Sequence, residues 1–385
     1  MGVALEDAEV AKLGAPRRCW RMVSLWAALL VALSSSLFLA YLTYGAIGGK
    51  MGAPPFLGSG KRVEKLLPVR RRDEAYSFLV LGDSKNNFVV LKDLLLKADG
   101  KVDFAVFLGD AVSANASSQA YFRESLSGME LSYPVFYVSG NNDFSSSAKN
   151  SFQGVFTSED FERTYGPLCF SFAHGGDLFV GICSVGNSDL DAKSLEFLKS
   201  LEKTRRRYKR CFVFEHIPPK GVPGYDSGEF QADPRFAGEF ERLGADYVFA
   251  SHFHGFQEVA FQGVEYIVTG GAGAGFDDPD GTGQVFHAVE FSVLPDAVRR
   301  RLVFSSSSGG ASSRFESFMM CAAIPLFQHY KLFWMALIVV CVVGWFCVVL
   351  LARRRKARVE VGIAGGVGRA YIGMEGGDLE GREKQ

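Results

Sequence analysis

Polar side chains follow five apolar segments that have the length and composition of buried strands. The segments are residues 77–82, 104–108, 134–138, 211–214 and 247–250. The polar residues that follow them are Asp83, Lys85, Asp110, Asn141, Asn142, His216, His252 and His254. Because ligands bind at the carboxyl ends of strands in open α/β sheets, we expect these side chains to lie together. Carboxylate and imidazole ligands together suit Mn, Fe or Zn, whereas Ca and Mg prefer oxygen ligands alone.

The segments between these strands predict the elements that position the polar residues. Residues 87–98 and 116–126 have helical patterns, and strand–helix–strand repeats of this spacing predict right-handed crossovers and a parallel sheet. The turn HGGD at 174–177 lies between two apolar segments and predicts a hairpin. An amphipathic helix (192–206) and a β meander are expected after it; the meander segments are 257–261, 264–269, 285–293 and 301–304. We therefore expect a mixed α/β fold in which helices cover two sheets.

The order of these motifs resembles that of the calcineurin-like metallophosphoesterases. Their pattern is D-x-H, G-D, G-N-H-[DE], a later His before Pro, and G-H-x-H. The corresponding segments here are Asp83-Ser84-Lys85, Gly109-Asp110, Gly140-Asn141-Asn142-Asp143, His216-Ile217-Pro218 and Ser251-His252-Phe253-His254. The resemblance covers residues 76–305 and implies a four-layer α/β/β/α sandwich.

The resemblance also implies a ligand set for two divalent metal ions. Asp110 would bridge the two ions, and Asn141, His216 and His252 would complete one site. Asp83 and His254 would belong to the other site. The implied reaction is metal-assisted hydrolysis of a phosphate monoester or diester, in which hydroxide attacks phosphorus in line. The implied partner is therefore a phosphoester substrate.

Three positions depart from the family pattern. Lys85 stands where the family has a ligand histidine, and an ammonium cannot bind a metal unless it loses its proton. We therefore expect the metal site of Asp83 and His254 to be the weaker one, with Lys85 available to contact a phosphate oxygen. Asn142 replaces the histidine that assists the leaving group and cannot donate a proton as an acid. Ser251 replaces the usual glycine of G-H-x-H.

Two functions from different classes therefore remain open. The first is an active phosphoesterase in which Asp110, Lys85 and Asn142 act on the substrate. The alternative is a catalytically impaired relative that binds a phosphorylated ligand or protein partner. We favour the enzyme, because most of the functional positions match and one metal site is complete.

Two uncharged segments predict association with a lipid bilayer. Residues 22–49 and 332–352 are both long enough to cross it. A basic cluster follows the second segment and predicts that both termini are cytoplasmic and the intervening domain extracytoplasmic; it comprises Arg353, Arg354, Arg355, Lys356 and Arg358. A cleaved signal peptide is the alternative for the first segment. The acidic residues that precede it, Glu6, Asp7 and Glu9, favour an uncleaved anchor.

Composition excludes several other classes of protein. The 385 residues include 42 Lys+Arg and 42 Asp+Glu, and this balance argues against a nucleic-acid binder. An apolar fraction of 48% excludes disorder over most of the chain, and seven cysteines are too few for a disulfide scaffold.

The sequence predicts seven successive segments. They are a cytoplasmic tail (1–21), a membrane helix or signal anchor (22–49), a basic linker (50–73), the phosphoesterase domain (74–305), a Ser/Gly linker with an interfacial segment (306–331), a second membrane helix (332–352) and a cytoplasmic tail (353–385).

Overall fold

The structure, a computed structural model, describes residues 24–36, 52–112, 115–144, 154–223, 232–275 and 285–372. The described residues fall into two compact units. One lies within Leu42–His329, and the other consists of the described parts of Met1–Tyr41 and Tyr330–Gln385. All of the strands described below belong to the first unit.

The strands form two six-stranded mixed sheets. In chain order the strands are β1 (Leu57–Gly58), β2 (Tyr76–Leu81), β3 (Phe104–Phe107), β4 (Val135–Tyr137), β5 (Phe170–His174), β6 (Asp177–Gly181), β7 (Cys211–Phe214), β8 (Tyr247–Ala250), β9 (Phe256–Phe261), β10 (Val264–Thr269), β11 (His287–Val293) and β12 (Val298–Phe304). The first sheet has the order β1-β4-β3-β2-β11-β12, and the second has the order β5-β6-β7-β8-β10-β9.

Parallel pairing at the centre of each sheet sets the direction of the site-bearing strands. In the first sheet, β4, β3 and β2 are parallel, and β2 pairs with β11 in antiparallel register. In the second sheet, β6, β7, β8 and β10 are parallel, and β5 and β9 close the edges in antiparallel register. The expected parallel strands and the hairpin are present. The expected meander is wrong: its four strands form two antiparallel pairs, with β9 and β10 in the second sheet and β11 and β12 in the first.

The helices of the described residues are α1 (Ser24–Ser36), α2 (Lys61–Glu64), α3 (Phe88–Ala98), α4 (Ala116–Ser127), α5 (Ser158–Tyr165), α6 (Ser188–Arg205), α7 (Arg235–Leu243), α8 (Ala311–Phe318), α9 (Ile324–His329) and α10 (Lys331–Ile372). Helices α2 to α7 lie between strands in the chain, whereas α1 precedes β1, and α8, α9 and α10 follow β12. A π-helical turn, Met319–Ala323, joins α8 to α9. Side chains fix several helix starts: Asn115 accepts a hydrogen bond from the Ser118 N–H at 2.8 Å and thereby caps α4.

The buried apolar residues of the described part of the chain form three clusters, and the central strands contribute to a cluster on each face. Phe78 and Val80 of β2 lie in a cluster that contains side chains of both sheets, and Phe78 stacks on Phe104 with 5.2 Å between ring centroids. Leu79 and Leu81 of the same strand pack on the opposite face with residues of α3 and α4. A third cluster joins α6 and α7 to the second sheet. Strands buried on both faces need apolar residues at every position.

Two segments that were expected to be linkers contribute ordered elements. Within residues 50–73, β1 pairs in parallel with β4 through Leu57 and Val135, and α2 follows it. Within residues 306–331, α8, the π-helical turn and α9 form a helical segment that buries Cys321 in the first sheet's core.

One helix of the second unit is long and apolar enough to cross a membrane. It is the part of α10 from Leu332 to Leu351, which has a mean hydropathy of 2.8. Of the first predicted span, residues 24–36 form the short apolar helix α1, and residues 22–23 and 37–49 lie outside the described part. The described residues thus contain one candidate span, and the expectation of two membrane helices stays a prediction.

Candidate metal centre

The eight residues expected in the site all follow the carboxyl ends of strands that lie near the centres of the two sheets. Asp83 and Lys85 follow β2, Asp110 follows β3, and Asn141 and Asn142 follow β4. On the second sheet, His216 follows β7, and His252 and His254 follow β8. The contacts described below connect residues of both sheets at this edge, so the expected convergence is present. The roles of the individual residues stay predictions.

The carboxylate of Asp110 is fully buried and contacts Lys85, Asn142 and His216. Its Oδ1 accepts a hydrogen bond from the Asn142 backbone N–H at 2.7 Å, and its Oδ2 accepts one from Asn142 Nδ2, also at 2.7 Å. The ammonium of Lys85 contacts Oδ2 as well. Burial opposes the charge on Asp110, but His216 and Lys85 outweigh that effect and hold its pKa well below the ordinary value.

His216 is oriented by a backbone carbonyl. Its Nδ1–H donates to the Leu108 carbonyl at 2.8 Å, which directs Nε2 toward Asn141 Oδ1 at 2.9 Å and Asp110 Oδ2 at 3.4 Å. Burial lowers the pKa of His216, yet Asp110 more than offsets this and raises the pKa to about 9. The His216 ring, the Asn141 amide oxygen and the Asp110 carboxylate therefore lie together, and the negative charge of Asp110 stabilises positive charge at this point. Metal-binding histidines are commonly held in this way by a carbonyl on the other ring nitrogen.

His252 completes a set of ligand atoms suited to a divalent cation. One ligand atom from each of Asp110, His216 and His252 lies within 4.8 Å of the other two. Burial, and then the neighbouring His216, lower the pKa of His252 to about 4. A histidine that stays neutral at pH 7 keeps its electron pair free for a metal. One carboxylate and two imidazoles are ligands that Mn, Fe and Zn accept, so these residues fit a metal of that class.

Asp83 lies beside this set with one oxygen engaged and one open. Its Oδ2 accepts hydrogen bonds from the Ser251 hydroxyl and from the His252 backbone N–H, the latter at 2.8 Å. Its Oδ1 is buried, accepts no hydrogen bond from the described residues and lies 3.4 Å from His254 Nε2. Asp83 Oδ1 and the His254 imidazole could serve as two ligands of a second cation. The position is incomplete, because Lys85 supplies an ammonium where a third ligand would be needed.

The backbone around the site is held in a conformation that most residues avoid. Five non-glycine residues there have φ between 44° and 67°: Asp83, Lys85, Asn86, Asp110 and His252. Asp143 fixes part of this geometry, because its carboxylate accepts hydrogen bonds from the N–H groups of Asp110, Ala111 and Gly140 at 2.7–3.0 Å. A side chain at Gly140 would overlap the Asp110 carboxylate.

Two supporting contacts were not predicted from the sequence. The family-type motif includes Asp143, but the motif alone does not show that its carboxylate holds the Asp110 loop. Ser251 was visible as a departure from glycine, yet its hydroxyl contacts Asp83, a residue that is distant in the sequence. The packing of the two sheets against each other brings Ser251 and Asp83 together.

Comparison with known proteins agrees with this geometry. The family model described as calcineurin-like phosphoesterase matches residues 76–256. Human serine/threonine-protein phosphatase CPPED1 is 25% identical over 206 residues, which cover 48% of this chain and 64% of that relative. This chain thus spans less than two thirds of the length of the relative. The matches confirm the predicted metallophosphoesterase domain and support the prediction of a hydrolase acting on phosphoric esters.

Solved structures similar to this chain share little sequence identity with it. GAP50 of Plasmodium, described as the anchor in the inner membrane complex, is 14% identical with a TM-score of 0.45, covering 61% of this chain and 86% of that chain. A metallophosphoesterase from Sphaerobacter thermophilus is 16% identical with a TM-score of 0.37, covering 65% of this chain and 97% of that chain.

Proposed function

We propose that this protein is a membrane-anchored, metal-dependent phosphoesterase, because residues 76–256 match the calcineurin-like phosphoesterase family. The observation that supports this most directly is the convergence of Asp110, His216 and His252, whose ligand atoms lie within 4.8 Å of one another. Stable folding does not require a carboxylate and two imidazoles to be buried together. Such groups are costly to bury unless a cation or a substrate uses them.

One divalent cation would be held by Asp110, Asn141, His216 and His252. When bound there, it supplies Lewis acidity toward a phosphoryl oxygen and lowers the pKa of water. Leu108 keeps His216 Nε2 directed at this position by accepting the hydrogen bond from Nδ1–H. Asp83 and His254 would form a second, weaker position, because Lys85 occupies the place of a third ligand.

Lys85 and Asn142 would bind the phosphoryl group directly. Both side chains donate to Asp110 Oδ2, and both are only partly buried, so a substrate anion can reach them. A lysine ammonium adds positive charge where a phosphoryl group gathers negative charge, and the Asn142 amide adds a neutral donor. Asn142 cannot protonate a leaving oxygen, because an amide is not an acid.

This arrangement favours esters whose leaving group needs no protonation. Aryl phosphates release a weakly basic oxygen, whereas serine and threonine phosphates release a strongly basic one. The human relative is named as a serine/threonine phosphatase, so phosphoserine peptides belong in the assay beside aryl esters. We expect this chain to prefer the aryl esters, since Asn142 replaces the residue that would assist departure.

The experiment measures hydrolysis by the purified full-length chain in detergent micelles. The substrates are p-nitrophenyl phosphate, bis(p-nitrophenyl) phosphate and a phosphoserine peptide, each with Mn, Fe or Zn, and bound metal is measured in parallel. His252→Ala should abolish both metal binding and turnover, whereas His329→Ala, outside the site, should change neither. Full metal occupancy in the His252→Ala protein would mean that the site is assigned wrongly.

The alternative function is binding without catalysis, and the same experiment separates the two. Lys85 and Asn142 are the observations that favour it, because both replace residues with assigned roles in active relatives. Metal-dependent binding of vanadate with no turnover of any ester would support a binding domain. Turnover that is lost in the His252→Ala protein would support the enzyme.

The proposed topology places this domain outside the cytoplasm with both termini inside. It rests on the apolar helix Leu332–Leu351 and on the basic residues that follow it, starting at Arg353. Protease added to intact cells or spheroplasts should cut the domain and spare epitope tags at both ends. Digested tags with an intact domain would contradict this orientation.

A further inference from the structure

The helical segment between the phosphoesterase domain and α10 has two apolar faces. We call residues 311–329, which comprise α8, the π-helical turn and α9, the juxtamembrane segment. Its inner face packs on the domain: Cys321 and Ile324 are buried at 8% and 6% exposure, and Cys321 lies in the same core cluster as Tyr121 of α4. Glu316 also faces Tyr121, because burial and then this carboxylate raise the pKa of that phenol. The segment is therefore fixed to the folded domain.

The outer face of the juxtamembrane segment exposes large apolar side chains. Phe315 is 64% exposed, Phe318 is 59% exposed and Leu326 is 37% exposed. They are separated by three and eight residues, close to one and two helical turns, and therefore lie along one side of the helix. The charged residues of the segment, Arg314 and Glu316, are exposed near its start, and none of the residues from 317 to 330 is Asp, Glu, Lys or Arg. A helix face in water normally carries charged residues, so this composition indicates an apolar or interfacial environment.

The position of the segment in the chain identifies that environment. α9 ends at His329, and the apolar part of α10 begins at Leu332. The six residues from Leu326 to Leu332 span at most about 20 Å even when fully extended, which is less than the thickness of a bilayer. If Leu332–Leu351 crosses the bilayer, the outer face cannot be far from its surface.

We propose that the outer face of the juxtamembrane segment lies in the headgroup layer of the bilayer and docks the phosphoesterase domain onto the membrane. The inference rests on the membrane anchoring proposed above. Its consequence concerns the metal centre, because the chain leading into α8 passes the site loop. A side chain at Gly309 would overlap Asn87, which lies two residues after Lys85. Docking would hold that loop near the membrane surface, where a phosphoester carried by the bilayer can reach it.

Photo-crosslinking in a defined bilayer tests this docking. The full-length chain is placed in nanodiscs of palmitoyl-oleoyl phosphatidylcholine, with p-benzoylphenylalanine replacing one residue in each variant. Positions 315 and 318 report on the outer face, and the replacement of an exposed phenylalanine there is conservative. Val69 is 94% exposed on the domain and serves as the solvent control, and Leu350 within α10 is the membrane control. Lipid adducts are then detected by mass spectrometry.

We expect lipid adducts at positions 315, 318 and 350 and none at position 69. Adducts at 350 without adducts at 315 and 318 would overturn the docking while leaving the anchor intact. The absence of an adduct at 350 would instead overturn the anchoring on which the docking rests. Crosslinks from 315 or 318 to a second copy of the chain, in place of lipid, would show that a protein surface covers this face and would also overturn the proposal.

Discussion

Replacing Lys85 with alanine should weaken the binding of phosphate and vanadate without removing the bound metal ion. The Lys85 ammonium contacts Asp110 Oδ2, but the Asp110 carboxylate keeps the two hydrogen bonds from Asn142, each at 2.7 Å. The proposed ligand atoms of Asp110, His216 and His252 do not depend on Lys85 for their orientation. We therefore expect equal metal content in the wild type and in the Lys85→Ala protein.

The size of the effect follows from the exposure of the lysine. Hydrogen bonds to charged groups contribute about 1.5–3 kcal/mol, which corresponds to about 10- to 150-fold in Kd. The Lys85 side chain is 27% exposed, so water screens part of its charge. We therefore expect the vanadate Kd to rise by roughly 10-fold, the lower end of that range.

The assay is a vanadate titration of metal-loaded full-length protein, with metal content measured on the same samples. Lys203→Ala is a matched control, because Lys203 is an exposed lysine of α6, which packs on the second sheet away from the site. Equal vanadate affinity in the wild type and the Lys85→Ala protein, at equal metal content, would refute a role for Lys85 in phosphate binding. Lys85 would then be only the structural partner of Asp110.

Lys85→His tests the complementary idea that the lysine excludes a second cation. Histidine restores the ligand that the family has at this position, next to Asp83 and His254. Asp83 Oδ1 is buried and accepts no hydrogen bond from the described residues, so it is open to a metal. We expect the metal content per chain to increase relative to the wild type. Unchanged content would mean that another feature of the loop limits the second position.

Three further predictions concern other residues of the domain. Asn142→His should increase kcat/KM for alkyl phosphates relative to p-nitrophenyl phosphate by up to about 100-fold, because an imidazole can protonate a basic leaving group; an unchanged ratio would contradict this role. Ser251→Ala should lower activity or metal affinity by about 10-fold through the loss of a hydrogen bond to Asp83, in a protein whose thermal stability is retained. Burial raises the pKa of Asp191 to about 6, so the folded protein holds this proton more tightly than the unfolded chain and loses stability as pH rises from about 4 to 6. Asp191→Asn should therefore stabilise the protein more at pH 7.5 than near pH 4 in thermal unfolding; an equal effect at both pH values would contradict the shift.

The strands that carry the site could be predicted because both of their faces are buried. In β2, Phe78 and Val80 pack between the sheets while Leu79 and Leu81 pack under the helices, so the strand is a continuous apolar run followed by Gly82. The run ends where the chain leaves the core and polar residues begin. That transition, repeated at five strands, was sufficient to predict which side chains would meet.

Elements that depend on distant partners could not be predicted in the same way. β1 has two residues, Leu57 and Gly58, and exists because it pairs with Val135 and Phe136 of β4. A two-residue strand shows no periodicity. The sequence predicts an interfacial segment within residues 306–331 but not its helices or its packing on the domain. Its inner face is defined by contact with α4, and its outer face is also apolar, so the sequence shows no clear amphipathic pattern.

The contact between Lys85 and Asp110 could not be predicted from the sequence, because it depends on a backbone conformation with positive φ at Lys85. Asp, Asn and His adopt positive φ more readily than other side chains, and Asp83, Asn86, Asp110 and His252 are of these types. Lys85 is not, and a left-handed conformation costs such a residue about 1–2 kcal/mol. Two interactions with the same residue offset that cost: the Lys85 N–H donates to the Asp110 carbonyl at 3.1 Å, and its ammonium contacts the Asp110 carboxylate. The loop conformation that makes Lys85 unfavourable locally is thus the one that directs its charge into the site, which is what a phosphate-binding role requires.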